Sequence, residues 1–322
     1  MRNRTFGRTG WQVSEVGFGM WGMGGWTGSD DDESLGSLEL ALGRGVNFFD
    51  TAQAYGDGHS ERLLARLLAA HPGRYGATKV PPRNRQWPSR RGVPLAEAFP
   101  RDYVREYVDI SRANLGVRTI DLLQLHVWED DWLGSGELER TVEELKAEGS
   151  IRAFGISLNR WEPWNGVKAV RSGLVDAVQV IYNIFDQAPE DELFPACREN
   201  RVAVIARVPF DEGSLIGNLT PASTWPADDW RSTYFVPENL ASSVARADSL
   251  KPLVPPPGMT MAEMALRFIL SNPDVSTVIP GMRKRRNVEA NTAASDAGPL
   301  PPALLAELRK HRWDREPTDW SQ

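Results

Sequence analysis

Four side chains able to hold or move a proton stand at the ends of short apolar runs: Asp50 after VNFF, Tyr55 in DTAQAYG, Lys79 closing YGATK, and His126 closing DLLQLH. An ammonium or imidazole at the end of a buried apolar run is unfavourable unless paired or solvated, and such groups concentrate at functional sites. Asp50 is expected to pair with Lys79. The retained cation beside Tyr55 would stabilise a phenolate and lower a pKa otherwise near about 10, which suits Tyr55 to act as a general acid. His126, in its neutral form, would hydrogen-bond an incoming carbonyl oxygen and fix it beside the tyrosine hydroxyl.

These residues share a site only if a fold gathers the ends of several strands. Short, apolar, often β-branched runs cover 16–20, 46–49, 74–80, 122–125, 151–157, 177–181, 202–206 and 277–279, as strands buried on both faces require. Helical periodicity covers 33–44, 61–70, 101–115, 137–148, 164–171, 190–200, 261–270 and 286–293, and Gly45, Gly116, Gly149 and Gly173 follow helices where a left-handed residue suits the C-cap. Strand-then-helix units without a Gly/Ser linker predict one domain over 1–322: an α/β fold of the (β/α)8 TIM-barrel type, in which strand ends converge on one mouth. Runs at 4–6 and 12–14 flank GRTG and predict an N-terminal β-hairpin that plugs the barrel's bottom. A long loop after strand seven, 209–257, is expected to reach over the site.

Composition narrows the function classes. The net charge of −6 disfavours a nucleic-acid partner, and the Arg-containing PPRNRQWPSRRG reads as a solvated loop. No run approaches the roughly 18 apolar residues of a membrane span, and MRNRTFGRTGWQVSE lacks the apolar core of a secretory signal, so a cytoplasmic location with no membrane partner is expected. The single cysteine, Cys197, cannot form an intramolecular disulfide and reads as a packed residue. His59, His71 and His311 show no ligand pattern, so no metal site is assigned.

The segments GRTGWQVSEVGFGMWGMG, DTAQAYGDGHSE, ATKV, LLQLH, FGIS, VQVIYN and VIPGMR resemble, in order and over nearly the whole chain, the aldo-keto reductases. That resemblance implies a single-domain barrel with an Asp-Tyr-Lys-His tetrad, here Asp50, Tyr55, Lys79 and His126, and a nicotinamide cofactor. It further implies that Ser157, Asn159 and Gln179 hydrogen-bond the nicotinamide carboxamide. Leu158 separates Ser157 from Asn159 where many relatives have them adjacent, which makes Asn159 the weaker assignment. Arg207 in IARVPF stands where relatives present an aromatic ring to the nicotinamide; a guanidinium plane can also stack, and its charge would favour the neutral reduced ring over the cationic oxidised one. After strand eight, PGMRKRRNVEAN offers Gly281 for close approach, Arg283 for an adenosine 2′-phosphate with Lys284 and Arg286 assisting, and Asn287 and Asn291 for the adenine, implying NADPH/NADP+. The glycines of GFGMWG lead into an aromatic loop and do not open a helix, so a Rossmann reading is rejected.

Indoles crowd the expected mouth: Trp21, Trp26, Trp87, Trp128, Trp132, Trp225 and Trp230. Trp21 and Trp128, nearest strand ends, are the first choices for binding a small carbonyl substrate, aromatic or sugar-like. The implied reaction is reduction of an aldehyde or ketone to an alcohol. A nicotinamide-sensing regulatory subunit and a nucleotide-sugar ketoreductase are the alternatives.

Overall fold

The computed structural model describes residues 1–26, 28–255 and 257–321, so Pro256, within the predicted connection 209–257, lies outside the described residues. The chain opens with an antiparallel hairpin, β1 (Asn3–Phe6) and β2 (Trp11–Ser14), with Phe6 facing Trp11. Eight parallel strands follow: β3 (Phe18–Gly19), β4 (Phe48–Asp50), β5 (Tyr75–Val80), β6 (Ile120–Leu125), β7 (Ile151–Ser157), β8 (Ala177–Ile181), β9 (Ala203–Arg207) and β10 (Thr277–Val278). They pair in sequence order, and parallel bridges Val16 to Val278 and Gly19 to Gly281 join first to last. The sheet closes into the predicted barrel. Closure needs glycine at position 19, where a Cβ would lie 2.5 Å from the Ile279 carbonyl oxygen.

Two-residue alternation sorts the barrel interior into layers. The lower layer holds Phe48, Ala77, Leu122, Ala153, Ala177, Ala203, Ile205 and Ile279, packed in one apolar cluster with Phe6, Trp11 and Val13. The hairpin therefore plugs the bottom as expected. Two residues further along the same strands come Asp50, Lys79, Gln124, Gln179 and Arg207, a polar layer directly above the apolar one. The intervening positions, among them Leu123, Phe154, Ile156, Val178 and Val204, point outward into the larger core beneath the helices.

That outer ring comprises α1 (Asp31–Gly43), α2 (His59–Ala70), the short α3 (Leu95–Ala98), α4 (Arg101–Leu115), α5 (Glu137–Ala147), α6 (Val167–Ser172), α7 (Leu193–Asn200), α8 (Arg231–Tyr234), α9 (Pro237–Leu250), α10 (Met261–Leu270), α11 (Arg285–Ala297) and α12 (Pro302–Arg309). Local chemistry sets the ends. Asp30 and Thr260 accept from the Glu33 and Glu263 amides to cap α1 and α10, and Gly45, Gly116, Gly149 and Gly173 all have positive φ.

The connection after β9 differs from the expected loop. It carries α8 and α9 and a tight turn over Asp211–Ile216. Leu240, Val244, Ala247 and Leu250 recur at helical spacing and bury one face of α9, a pattern that the surrounding Pro and Trp residues obscure. Among the described residues, no helix is long and apolar enough to cross a membrane.

Candidate active site

The polar layer is a connected network. Lys79 Nζ donates to Asp50 Oδ2 at 2.5 Å and to the Thr51 carbonyl at 2.7 Å, with both side chains buried. The other carboxylate oxygen, Asp50 Oδ1, accepts from Gln124 Nε2 at 3.1 Å and Gln179 Nε2 at 2.9 Å. Strand register brings these groups together: Lys79 lies opposite Gln124, and Ser157 opposite Gln179. Removing an ammonium and a carboxylate from water is unfavourable unless their remaining hydrogen-bonding capacity is met. Here the two amides and a carbonyl meet it.

Tyr55 is delivered by the turn after β4. Its amide donates to the Ala52 carbonyl at 3.0 Å, and Gln53 Nε2 braces the turn on Asp57 at 2.7 Å. Gly56 follows with φ +65°, and a Cβ there would lie 1.9 Å from the Gly24 carbonyl oxygen, so only glycine lets this turn press against the first barrel loop. Lys79 Nζ lies 5.1 Å from the centroid of the Tyr55 ring, and His126 stands edge-on to the same ring at 5.7 Å.

The electrostatics differ from the sequence expectation at one point. Burial raises the Tyr55 pKa; Lys79 and Arg207 pull it down, Asp50 pushes it up, and the net direction is upward. The expected net lowering is not found, because loss of water around the phenolate outweighs the neighbouring cations. Tyr55 therefore carries its proton in the neutral range. Burial also opposes the charge on Lys79, but Asp50 and Tyr55 outweigh it and raise its pKa, so it stays cationic. His126 is pushed well below the usual imidazole range by burial and by Lys79 and Arg207. It is held neutral, and its Nδ1 is buried without a partner.

Arg207 ends β9 inside the barrel. Its guanidinium donates to the Leu158 carbonyl at 3.1 Å, its Nε is buried without a partner, and burial followed by repulsion from Arg160 lowers its pKa to about 10. It remains a cation at neutral pH. The backbone beyond it is left-handed at Val208, Asp211 and Glu212, with φ of 54°, 44° and 56°, strain on the order of 1–3 kcal/mol per residue. Ion pairs brace the segment: a half-buried one from Arg160 to Glu212 at 2.5 Å, and buried ones from Arg315 of the C-terminal segment to Asp211 at 2.8 Å and Asp186 at 2.5 Å.

The remaining expected residues divide. Ser157 and Gln179 are buried at the barrel top. Asn159 is turned into its own loop, its Nδ2 within 3.2 Å of the Trp128 carbonyl, Glu129 and Glu162, while Oδ1 is buried and unpartnered. A Cβ on Gly281 would meet nothing within 4 Å, so its backbone borders open space. Arg283 accepts from Ser37 Oγ through its carbonyl at 2.8 Å and lies against Gly22. Lys284 stands at the N-cap position of α11 without a side-chain capping bond, and the first turn contains Arg285 and Arg286 and no acid. Asn287 and Asn291 follow one turn apart, Asn291 buried.

Trp21 is 46% exposed and packs on Trp26 at 5.2 Å and edge-on to Trp230 at 6.2 Å; Trp26 in turn meets Tyr55 at 6.3 Å. Trp87 stands edge-on to His126 at 5.8 Å. Trp128 does not join them. It is fully buried, bonded through Nε1 to Asp130 and packed on Trp132, so its face is core and not rim. Its nearness to a strand end misleads because the side chain packs into the core beside Trp132. Trp225 packs on Phe235, with ring centroids 4.7 Å apart. Gln124 was not singled out in the sequence, although its two-residue phase with Leu122 marks it as inward-facing.

The residues present fit a nicotinamide group. Gln179 has committed its amide nitrogen to Asp50, which leaves its carbonyl oxygen for a carboxamide; Arg207 brings a buried unpartnered donor to the same layer. Among the described residues, no three His, Cys, Asp or Glu side chains are grouped to hold a metal ion.

Known proteins resemble this chain in sequence and in fold. The model described as "Aldo/keto reductase family" matches residues 15–312. The chain is 28% identical to the aldo-keto reductase YhdN of Bacillus subtilis, covering 88% of this chain and 85% of that protein. It is also 28% identical to the NADH-specific methylglyoxal reductase of Escherichia coli, covering 91% and 93%. The holo structure of aldo-keto reductase AKR11C1 from Bacillus halodurans superposes with a TM-score of 0.78 at 27% identity, covering 100% of both chains.

Proposed function

Because the chain belongs to the aldo/keto reductase family, we propose that it reduces an aldehyde or ketone to the alcohol with NADPH, Tyr55 giving the proton. The observation that carries this reading is the buried Asp50–Lys79 pair beside a protonated Tyr55, with His126 held neutral on the other side. When bound, the reduced nicotinamide supplies the hydride. Tyr55 passes its hydroxyl proton to the carbonyl oxygen as that oxygen gains charge, and Lys79 stabilises the phenolate left behind. His126 orients the carbonyl and, being neutral, does not compete as an acid at neutral pH. Asp50 keeps Lys79 in place and charged.

Ser157 and the carbonyl oxygen of Gln179 would hold the carboxamide, with Asn159 a lesser contributor through Oδ1. Arg207 would lie against the ring. At the other end, Gly281, Arg283, Lys284 and Arg286 would meet the phosphates, and Asn287 and Asn291 the adenine. One relative is NADH-specific by name, so the preference for NADPH rests on this chain's own basic segment, an acid-free helix N-terminus following Arg283. The rim of Trp21, Trp26, Trp87 and Trp230 suits an aromatic or sugar-like carbonyl compound.

The test is oxidation of NADPH and of NADH in the presence of aromatic aldehydes, quinones, steroids and keto-sugars, repeated with Arg283→Ala. Turnover with a carbonyl, and a weakened affinity for NADPH in the variant, support the reading. No turnover with any member of the panel counts against the reaction; unchanged NADPH affinity in Arg283→Ala counts against the 2′-phosphate assignment.

A further inference from the structure

The geometry assigns Gln124 a positioning role: it fixes the Asp50 carboxylate and the Gln179 amide together, so that one end of the network sets the proton donor and the other sets the cofactor ring. This inference rests on the nicotinamide reading of the polar layer. Asp50 is an anion paired with Lys79, and an anionic carboxylate only accepts hydrogen bonds. Both glutamines must therefore turn their nitrogens toward Asp50 Oδ1, as they do at 3.1 Å from Gln124 and 2.9 Å from Gln179.

The second hydrogen on Gln179 Nε2 has one further acceptor within reach, Gln124 Oε1 at 3.3 Å. Gln124 thus donates to the carboxylate with one end of its amide and accepts from Gln179 with the other. Both glutamines and the aspartate are essentially buried, at 0%, 2% and 2% exposure, so no bulk water replaces a missing partner. The consequence is directional. Gln179 is left with its carbonyl oxygen outward, which recognises an N–H donor and selects a carboxamide that presents its NH2 group to β8. Gln124 touches neither cofactor nor substrate in this account. It acts through its two partners.

The experiment compares dissociation constants of the reduced cofactor and of its 3-acetylpyridine analogue, in which the carboxamide NH2 is a methyl group, for the wild type, Gln124→Leu and Gln124→Glu. The wild type should bind the carboxamide form roughly tenfold more tightly, since the analogue leaves the buried Gln179 oxygen unpaired. Gln124→Leu frees the amide of Gln179 on one side and should reduce that ratio at least threefold. Gln124→Glu adds a pH readout. While protonated it can still donate to Asp50, but as pH rises it ionises against Asp50, so its kcat should fall with pH in a range where the wild type is level.

Lost activity in both variants with an unchanged binding ratio and an unchanged pH profile would mean a merely structural residue and overturn the proposal. Wild-type ratios and profiles in both variants would overturn it as well. A wild type that does not distinguish the two cofactors would instead remove the Gln179 contact itself, and this inference with it.

Discussion

Lys79 Nζ stands 5.1 Å from the centre of the Tyr55 ring while donating to Asp50 at 2.5 Å, so one ammonium serves a carboxylate and a phenol at once. The carboxylate keeps the lysine charged, and in the proposed reaction the lysine would lower the free energy of the phenolate formed as Tyr55 gave up its proton. Burial pulls the other way and prevails in the resting site, so the phenol, already protonated at neutral pH at its ordinary value, holds its proton further into the alkaline range.

The pH dependence of kcat for carbonyl reduction follows from that balance. Because the Tyr55 pKa is raised above its ordinary 10.0, the rate should stay level through the neutral range and fall only on the alkaline side of that value. In Lys79→Met the phenolate loses its nearest cation, so the neutral-pH rate should fall about 10²-fold or more, and the alkaline limb should move to still higher pH. A Lys79→Met variant with wild-type kcat at pH 7 would contradict the proposed role of the pair.

Arg207 predicts a redox preference in binding. A half-buried cation within electrostatic reach of Tyr55 and His126 would, in the proposed binding mode, repel the positively charged oxidised ring and tolerate the neutral reduced one. The wild type should bind NADPH more tightly than NADP+, and Arg207→Tyr should shrink that ratio by roughly fivefold to tenfold. Fluorescence titration of both forms measures it. Tighter binding of NADP+ by the wild type, reversed in Arg207→Tyr, would refute the electrostatic argument.

Arg315 predicts a stability effect remote from the tetrad. Its guanidinium, 4% exposed, holds Asp186 and Asp211 and lies 4.5 Å from the ring centroids of Trp161 and Trp313. Arg315→Ala leaves two buried carboxylates without their cation and should lower the unfolding free energy by about 3–5 kcal/mol, read as a shift in the urea midpoint. It should also loosen the left-handed segment after Val208 and weaken cofactor binding. An unchanged midpoint would show that the two aspartates find other partners.

The barrel was legible, and the four candidate residues stood out, because their signals are local. Apolar runs announce strands, glycines end helices, and Asp50, Lys79 and His126 each interrupt a hydrophobic pattern at its end. What escaped depends on contacts between distant segments. Gln124 looks like an ordinary polar residue until β6 is set beside β5, and the partners of Arg315 lie 129 and 104 positions away. Trp128 was misplaced because proximity in sequence to a strand end does not fix the direction of a side chain. Helix α9 was hidden within a Pro- and Trp-rich connection. The sign of the Tyr55 shift also needed the fold, since the amount of water excluded around the phenol cannot be read from neighbouring residue types.

The most direct test of the central claim is a single substitution, Tyr55→Phe, which removes the hydroxyl and keeps the ring that packs against His126 and Trp26. The account predicts that kcat for NADPH-dependent carbonyl reduction falls by about 10²–10⁴-fold, while NADPH binding measured by fluorescence titration changes less than about threefold. Reduction at the wild-type rate by the phenylalanine variant would contradict it.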